Sequence, residues 1–391
     1  TFRITILDNQ KSTVRLLQSA EKGSGNRYSN HRFRYNRRPY GSRIVPDGTR
    51  MCVVDKRSIA TGSSAASTAL LQYEIDVPLC RMAEQIGEKN AVTAYRSCLQ
   101  SISDIEAVLK ETDIDADFER LPSIFYASDE KGVKLIEREY EIRKRYELPV
   151  ELLNKGELHK RYKMRTYAGA LLNRQSAQLD AYKAATQLFR YHIKKDHLQI
   201  FTHTKISSCE ETPQGCRTGK YVIVAAGFEA GQFLPEKVMK LTSTYALISH
   251  PIDNKDLWPE HSLIWETAEP YIYVRTSGNR IIIGGEDEDF NNPEARDELL
   301  REKTEQPEKK FHTLLPSVPF KAEMIWCGTF STTKDGLPFI GTWPGTERIF
   351  FDLGYGGNGI TFSMIGAQII SNLLQGKEDE RKDVFGFGRI C

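Results

Sequence analysis

CVVDKRSIATGSSAASTALL, residues 52–71, is the stretch whose reading decides the fold. The apolar pair Val53-Val54 ends on Asp55. A strand that ends on an acid sets a carboxylate against ribose hydroxyls in dinucleotide-binding α/β units, about 20 residues after a glycine turn. Lys56 and Arg57 follow the acid and are counted with it as ligand-facing. Further on, Gly62, Ser63, Ser64, Ser67 and Thr68 offer hydroxyls and unhindered amides where a helix would begin, donors suited to phosphate and sugar oxygens. Taken alone they read as a Ser-rich helix cap; the acid upstream turns the reading toward a ligand.

The glycine turn should fall near residues 30–40, where the chain instead reads SNHRFRYNRRPY. No glycine there lets the backbone approach a pyrophosphate. Residues 1–50 carry eleven Lys and Arg against three Asp and Glu, although the whole chain has a formal net charge of only +2. The segment is not low-complexity, so it reads as an atypical basic piece replacing a first βα unit, and no nucleic acid is expected as a partner.

A chain of 391 residues exceeds one compact core and predicts two domains. Seven cysteines, at 52, 80, 98, 209, 216, 327 and 391, form no CxxC pair and no metal-ligand spacing. That scattered odd set suits a reducing cytoplasm, and no metal is expected. No apolar run reaches the length of a membrane span.

Helical spacing runs from Met82 to about Tyr162, and Asp180 is placed as a helix N-cap. KYVIVAA, 220–226, reads as a strand buried on both faces, ending on the small residues Ala226 and Gly227. Residues 240–330 alternate as antiparallel strands do, in LTSTYALISH, YIYVRT and RIIIGG. The pattern then returns to strand, glycine turn and helix. In LGYGGNGITF, 353–362, Gly354, Gly356, Gly357 and Gly359 with Asn358, Ile360 and Thr361 formally satisfy G-x-G-x-x-G. No acid-ended strand follows, so these residues suit N–H donation to a carbonyl that becomes anionic on reduction.

These pieces, in this order over residues 52–388, resemble the D-amino-acid oxidase-like family of FAD-dependent oxidoreductases. The resemblance implies an α/β Rossmann-like FAD-binding domain from residues 51–90, 165–235 and 330–391, with an inserted antiparallel-sheet substrate domain from 91–164 and 236–329. It implies oxidation of a C–N bond of an amine or amino acid by hydride transfer to FAD, with a separate electron acceptor and no obligatory catalytic side chain. Position by position, Asp55 would meet the adenosine ribose and Gly62, Ser63, Ser64 and Ser67 the phosphates and ribityl chain. Ala226 and Gly227 would lie along the adenine half, and Asp335 and Gly336 of DGLP with Gly356 to Thr361 at the ring. Arg275, in YIYVR, is either a substrate-carboxylate partner or a sheet-edge charge. Many relatives carry an arginine shortly before DGLP; this chain has Trp326-Cys327-Gly328. Cys327 falls near where some sarcosine oxidases attach flavin covalently, whereas DGLP fits the non-covalent members.

A change of reading frame accounts for the missing turn. With CGN codons, Arg32, Arg34 and Arg37 each become a glycine codon one nucleotide later when N is G, restoring the G-x-G-x-x-G spacing about 20 residues before Asp55. The polypeptide as written then lacks its pyrophosphate cradle, and the alternative function is a flavin-free remnant or binding protein.

Overall fold

The structure, a computed structural model, describes residues 4–8, 50–195, 198–209, 211–212, 215–216, 220–289 and 292–389. The glycine-turn expectation at Arg32, Arg34 and Arg37 lies outside the described residues. Along the chain come β1 (Ile4–Asp8), β2 (Arg50–Val54), α1 (Ser63–Ala66), β3 (Leu70–Leu71), α2 (Leu79–Ile86), α3 (Glu88–Glu111), β4 (Glu119–Tyr126), α4 (Glu130–Arg145), β5 (Glu151–Leu153), α5 (Lys155–Tyr162), β6 (Ala170–Gln178), α6 (Ala181–Lys194) and β7 (Leu198–Phe201). The hairpin β8 (Glu211–Thr212) and β9 (Gly215–Cys216) leads to β10 (Tyr221–Val224), β11 (Lys240–Ser249), β12 (Leu263–Glu266), β13 (Ile272–Ser277), β14 (Arg280–Glu288), α7 (Pro293–Glu298), α8 (Glu302–Leu314), β15 (Ala322–Thr332), β16 (Phe339–Thr342), β17 (Ile349–Leu353) and α9 (Gly359–Leu374).

One sheet has the order β16-β17-β10-β1-β2-β7. The apolar runs of β10 and β17 pair in parallel, Val222 beside Ile349 and Val224 beside Phe351, all buried, as strands covered on both faces should be. The strands carrying Asp55 and Gly227 thus share a sheet, as the sequence predicts. Between them β1 runs antiparallel to both β2 and β10. A first strand feeding a βα crossover runs parallel to the strand it leads to. Ile4–Asp8 therefore hold the central place in the sheet without the direction of that unit.

The second sheet has the order β15-β11-β14-β13-β12-β4-β6-β3, with β5 beside β6. It is antiparallel except where β12 meets β4. It reaches further along the chain than residues 91–164 and 236–329. β3 and all of β6 come from segments expected in the FAD-binding domain, and Leu70 and Leu71 of β3 pair with Gln178 and Ala177 of β6. Likewise β4 interrupts the helical stretch read from Met82 to Tyr162. On β13 the strand period of two puts Ile272 and Val274 into a core with Trp258 and Phe311. Tyr271, Tyr273 and Arg275 fall on the opposite face, toward the core that includes Phe362 and Ile365 of α9.

Helix starts follow local chemistry. Asp180 accepts from the N–H of Lys183 at 2.8 Å, and Asn154 with Glu157 forms a capping box, each cap contributing about 1 kcal/mol. Helix α3 buries Ala91, Tyr95, Cys98, Ile102, Ile105 and Leu109 at three- to four-residue spacing and packs on α9. Beside this core Arg143 of α4 is fully buried between Glu74 (3.0 Å) and Glu139 (2.7 Å). Glu139 also accepts from the N–H groups of Leu79 and Cys80 at 3.0 and 2.9 Å. This triad fixes the segment 74–80, which crosses in front of the α9 N-terminus.

Candidate active site

Asp55 ends β2 and is 1% exposed. Its Oδ1 accepts from Arg57 N–H at 2.9 Å, while Oδ2 is buried with no hydrogen-bond donor among the described residues. Lys56 and Arg57 turn onto Glu229, the latter at 3.9 Å. They clip the acid-ended strand to the turn that begins at Gly227, which has a left-handed φ of 57°. Two expected segments are thereby brought together, with the cations facing a protein carboxylate.

Gly62 precedes the one-turn helix α1, which holds Ser63 and Ser64. Ser67 Oγ accepts from Ala69 N–H at 3.1 Å, a local turn bond, and the Thr68 hydroxyl is hydrogen-bonded to Tyr273. Trp326 donates its indole N–H to Ala66 O at 3.0 Å. Strand alternation sends the next residue, Cys327, the other way, to Asp297 Oδ1 at 3.2 Å. Burial and Asp297 raise its thiol pKa. Cys327 therefore faces α7 rather than α1.

Asp335 is committed to its own turn and to a cation, accepting from Leu337 N–H at 3.1 Å and pairing with Arg389 at 2.8 Å. Its carboxylate is thus engaged on both oxygens within the protein. Gly336, with φ 75°, lies against Val77 so closely that a Cβ would come within 2.7 Å of Val77 Cγ2.

The glycine turn before α9 meets the segment held by the buried triad. Gly354 and Gly356 adopt φ of 81° and 54°, values that favour glycine. Gly357 N–H donates to Asp76 Oδ2 at 2.7 Å, and Asn358 Nδ2 to Glu74 O at 2.7 Å. Thr361 Oγ1 bonds Asn358 O at 2.9 Å. The Gly357 amide, expected to face a ring carbonyl, is thus taken by a carboxylate; Gly359 and Ile360 follow as the first residues of α9.

Asp76 was not singled out from the sequence, nor were the residues around it. Tyr271 OH donates to its Oδ1 at 3.1 Å. The Tyr271 and Tyr273 rings lie 6.2 Å apart, and Trp265 meets Tyr271 edge-on at 6.4 Å. Thr244 lies beside both Tyr273 and Asp287 and counteracts the rise of each pKa. Burial raises the Asp76 pKa against the opposing pull of Gly357 N–H and Tyr271. Burial pushes Asp287 up to about 7, with Asp76 adding to the rise. The visible signal was the alternation of YIYVR, which places Tyr271, Tyr273 and Arg275 on one face; Asp76 and Asp287 carry no local signature.

Arg275 is not a sheet-edge charge. β13 lies between β12 and β14, and Arg275 is 7% exposed. One guanidinium N–H reaches Gln178 Oε1 at 3.2 Å, and Nε has no acceptor among the described residues. Burial lowers its pKa to about 10. Among the described residues no group of His, Cys, Asp and Glu has a metal-holding arrangement, and no helix is long and apolar enough to cross a membrane.

The chain is 30% identical to glycine oxidase of Bacillus subtilis over 194 residues, 46% of this chain and 50% of that enzyme, so that match spans about half of the relative's length. It is 24% identical to glycine oxidase of Geobacillus kaustophilus over 349 residues, 84% of this chain and 87% of the relative. The fold superposes on the crystal structure of that Geobacillus enzyme with a TM-score of 0.69 at 19% identity, covering 87% of this chain and 92% of the other. It superposes on L-amino acid deaminase from Proteus myxofaciens with a TM-score of 0.71 at 13% identity, covering 90% of each. Residues 43–373 match the DAO family, described as FAD dependent oxidoreductase, and the chain belongs to that family.

Proposed function

We propose that the protein oxidises a C–N bond of a small amine or amino acid, with FAD as cofactor. The observation that carries the cofactor end is Asp55, whose buried Oδ2 has no donor among the described residues. A ribose hydroxyl supplies such a donor, and a buried carboxylate oxygen left without one costs about 1–3 kcal/mol. The turn at Gly354–Gly359, with the α9 N-terminus behind it, fits the ring end. The six-stranded sheet with α1, α3 and α9 forms the FAD-binding half, and the nine-stranded sheet forms the substrate half.

FAD held at this site would supply a hydride acceptor for the carbon that bears the nitrogen. The chain's own contribution is to bind and orient the amine. Asp76 and Asp287 supply carboxylates, Tyr271 and Tyr273 stand beside them, and Arg275 stands further along the same strand face as a partner for a substrate carboxylate. No side chain is needed to take the hydride.

Anaerobic bleaching of the flavin absorbance on mixing FAD-loaded protein with glycine, sarcosine, D-amino acids and simple alkylamines tests the reading. Reduction by at least one of these is expected. Reduction by a 2-hydroxy acid or glycerol phosphate alone would overturn it.

A further inference from the structure

Asp76, Tyr271, Tyr273 and Asp287 cluster together and are each partly exposed yet deeply set. Among the described residues neither carboxylate pairs with a cation, and Asp76 is held there by Gly357 N–H and Tyr271 OH. The nearby lysines are engaged elsewhere: Lys303 pairs with Glu288, and Lys310 sits between Glu266 (3.0 Å) and Glu286 (2.8 Å). Lys303 exerts only a small attraction on Asp287, whose buried Oδ1 lacks a donor among the described residues. Two deep carboxylates without an ion-pair partner are costly unless a cation meets them, and the rings of Tyr271 and Tyr273 beside them favour a cation as well.

The other end of this face has the opposite need. Trp265 and Arg275 are both 7% exposed, and each has an N–H without an acceptor among the described residues, Nε1 of Trp265 and Nε of Arg275. Trp265 lies directly across from Tyr273 in the ladder, next along the face toward Arg275. Both orphan donors therefore ask for an acceptor on the bound molecule, set apart from its positive nitrogen. From Tyr271 to Arg275 is four residues, about 13 Å of strand.

Resting on the proposed amine oxidation, we propose that Asp76 and Asp287 hold the substrate's ammonium group while Arg275 and Trp265 hold an anionic or carbonyl group several bonds away. The substrate class is then an ω-amino acid rather than an α-amino acid. An α-carboxylate beside the nitrogen would be pressed against Asp76 and Asp287, like charges in poorly solvated surroundings.

Calorimetric titration of the FAD-reconstituted full chain with 5-aminopentanoate, butylammonium and glycine tests this. The expected order is 5-aminopentanoate, then butylammonium, with glycine at least tenfold weaker than the first. Asp76→Asn and Asp287→Asn should each weaken 5-aminopentanoate and butylammonium at least tenfold. Arg275→Met should weaken 5-aminopentanoate and leave butylammonium unchanged. The wild-type order needs no variant, so a misfolded variant does not rescue the idea. Equal or tighter binding of glycine overturns it, as does folded Asp76→Asn and Asp287→Asn protein of unchanged affinity. Binding in the expected order without flavin bleaching sinks the C–N oxidation but leaves the charge assignment standing; bleaching by glycine with glycine bound tightest does the reverse.

Discussion

The backbone N–H of Gly357 donates to Asp76 Oδ2 at 2.7 Å, a bond between residues 281 apart in sequence. It joins the turn before α9 to the segment that Arg143, Glu74 and Glu139 hold in place. The glycine turn, the residue Tyr271 just before β13, and helix α4 through the segment it holds therefore act on one carboxylate. Its environment depends on three parts of the chain that no local pattern connects.

Asp55→Ala should weaken FAD binding by about 1–3 kcal/mol, the usual loss for a hydrogen bond to a charged group, which corresponds to about 5- to 150-fold in Kd. Fluorescence titration of flavin into the apoprotein measures it. An unchanged Kd would show that Asp55 does not meet the ribose.

Arg143→Met should destabilise the fold by about 3–5 kcal/mol, because it leaves Glu74 and Glu139 buried without their cation. The same change should loosen residues 74–80, which Glu139 fixes through two N–H bonds. Urea unfolding gives the stability, and hydrogen exchange at Leu79 and Cys80 gives the local effect. A loss under 1 kcal/mol with exchange unchanged would show the triad to be energetically neutral.

Asp352 of β17 is 6% exposed, and burial raises its pKa to about 8. Its folded pKa lies above the unfolded value near 4. The proton is bound more tightly in the native state, and stability is lost as pH rises from about 4 through 8. Asp352→Asn removes that titration. The variant should be no more stable than the parent at pH 5 and more stable at pH 9, by an amount on the order of a few kcal/mol. Parallel melting curves at the two pH values would contradict the assignment.

The gene should encode G-x-G-x-x-G one nucleotide out of frame at Arg32, Arg34 and Arg37. The antiparallel direction of β1 is what a strand foreign to a βα unit would show. The chain as written should purify with less than stoichiometric FAD, and restoring the frame should yield a yellow protein with one FAD per chain. A DNA sequence without those glycine codons, or stoichiometric FAD on the chain as written, removes the idea.

Much of the nucleotide half was legible because its signals are local. A strand ending on Asp55, buried strands at 221–224 and 349–353, a glycine turn and an amphipathic helix at 359–374 each follow from periodicity and backbone freedom over a few residues. The N-cap at Asp180 and the shared face of Tyr271, Tyr273 and Arg275 are of the same kind. Three things were decided only in three dimensions. The nine-stranded sheet recruits β3, β4 and β6 by pairing across long stretches of chain. Asp335 is paired with Arg389 because the end of the chain folds back onto the DGLP turn. The carboxylates Asp76 and Asp287 come together because the segment 74–80, Tyr271 before β13, the end of β14 and the turn before α9 meet there. Charge and burial at a site are sums over neighbours brought in by the fold, and the order of residues along one strand does not contain them.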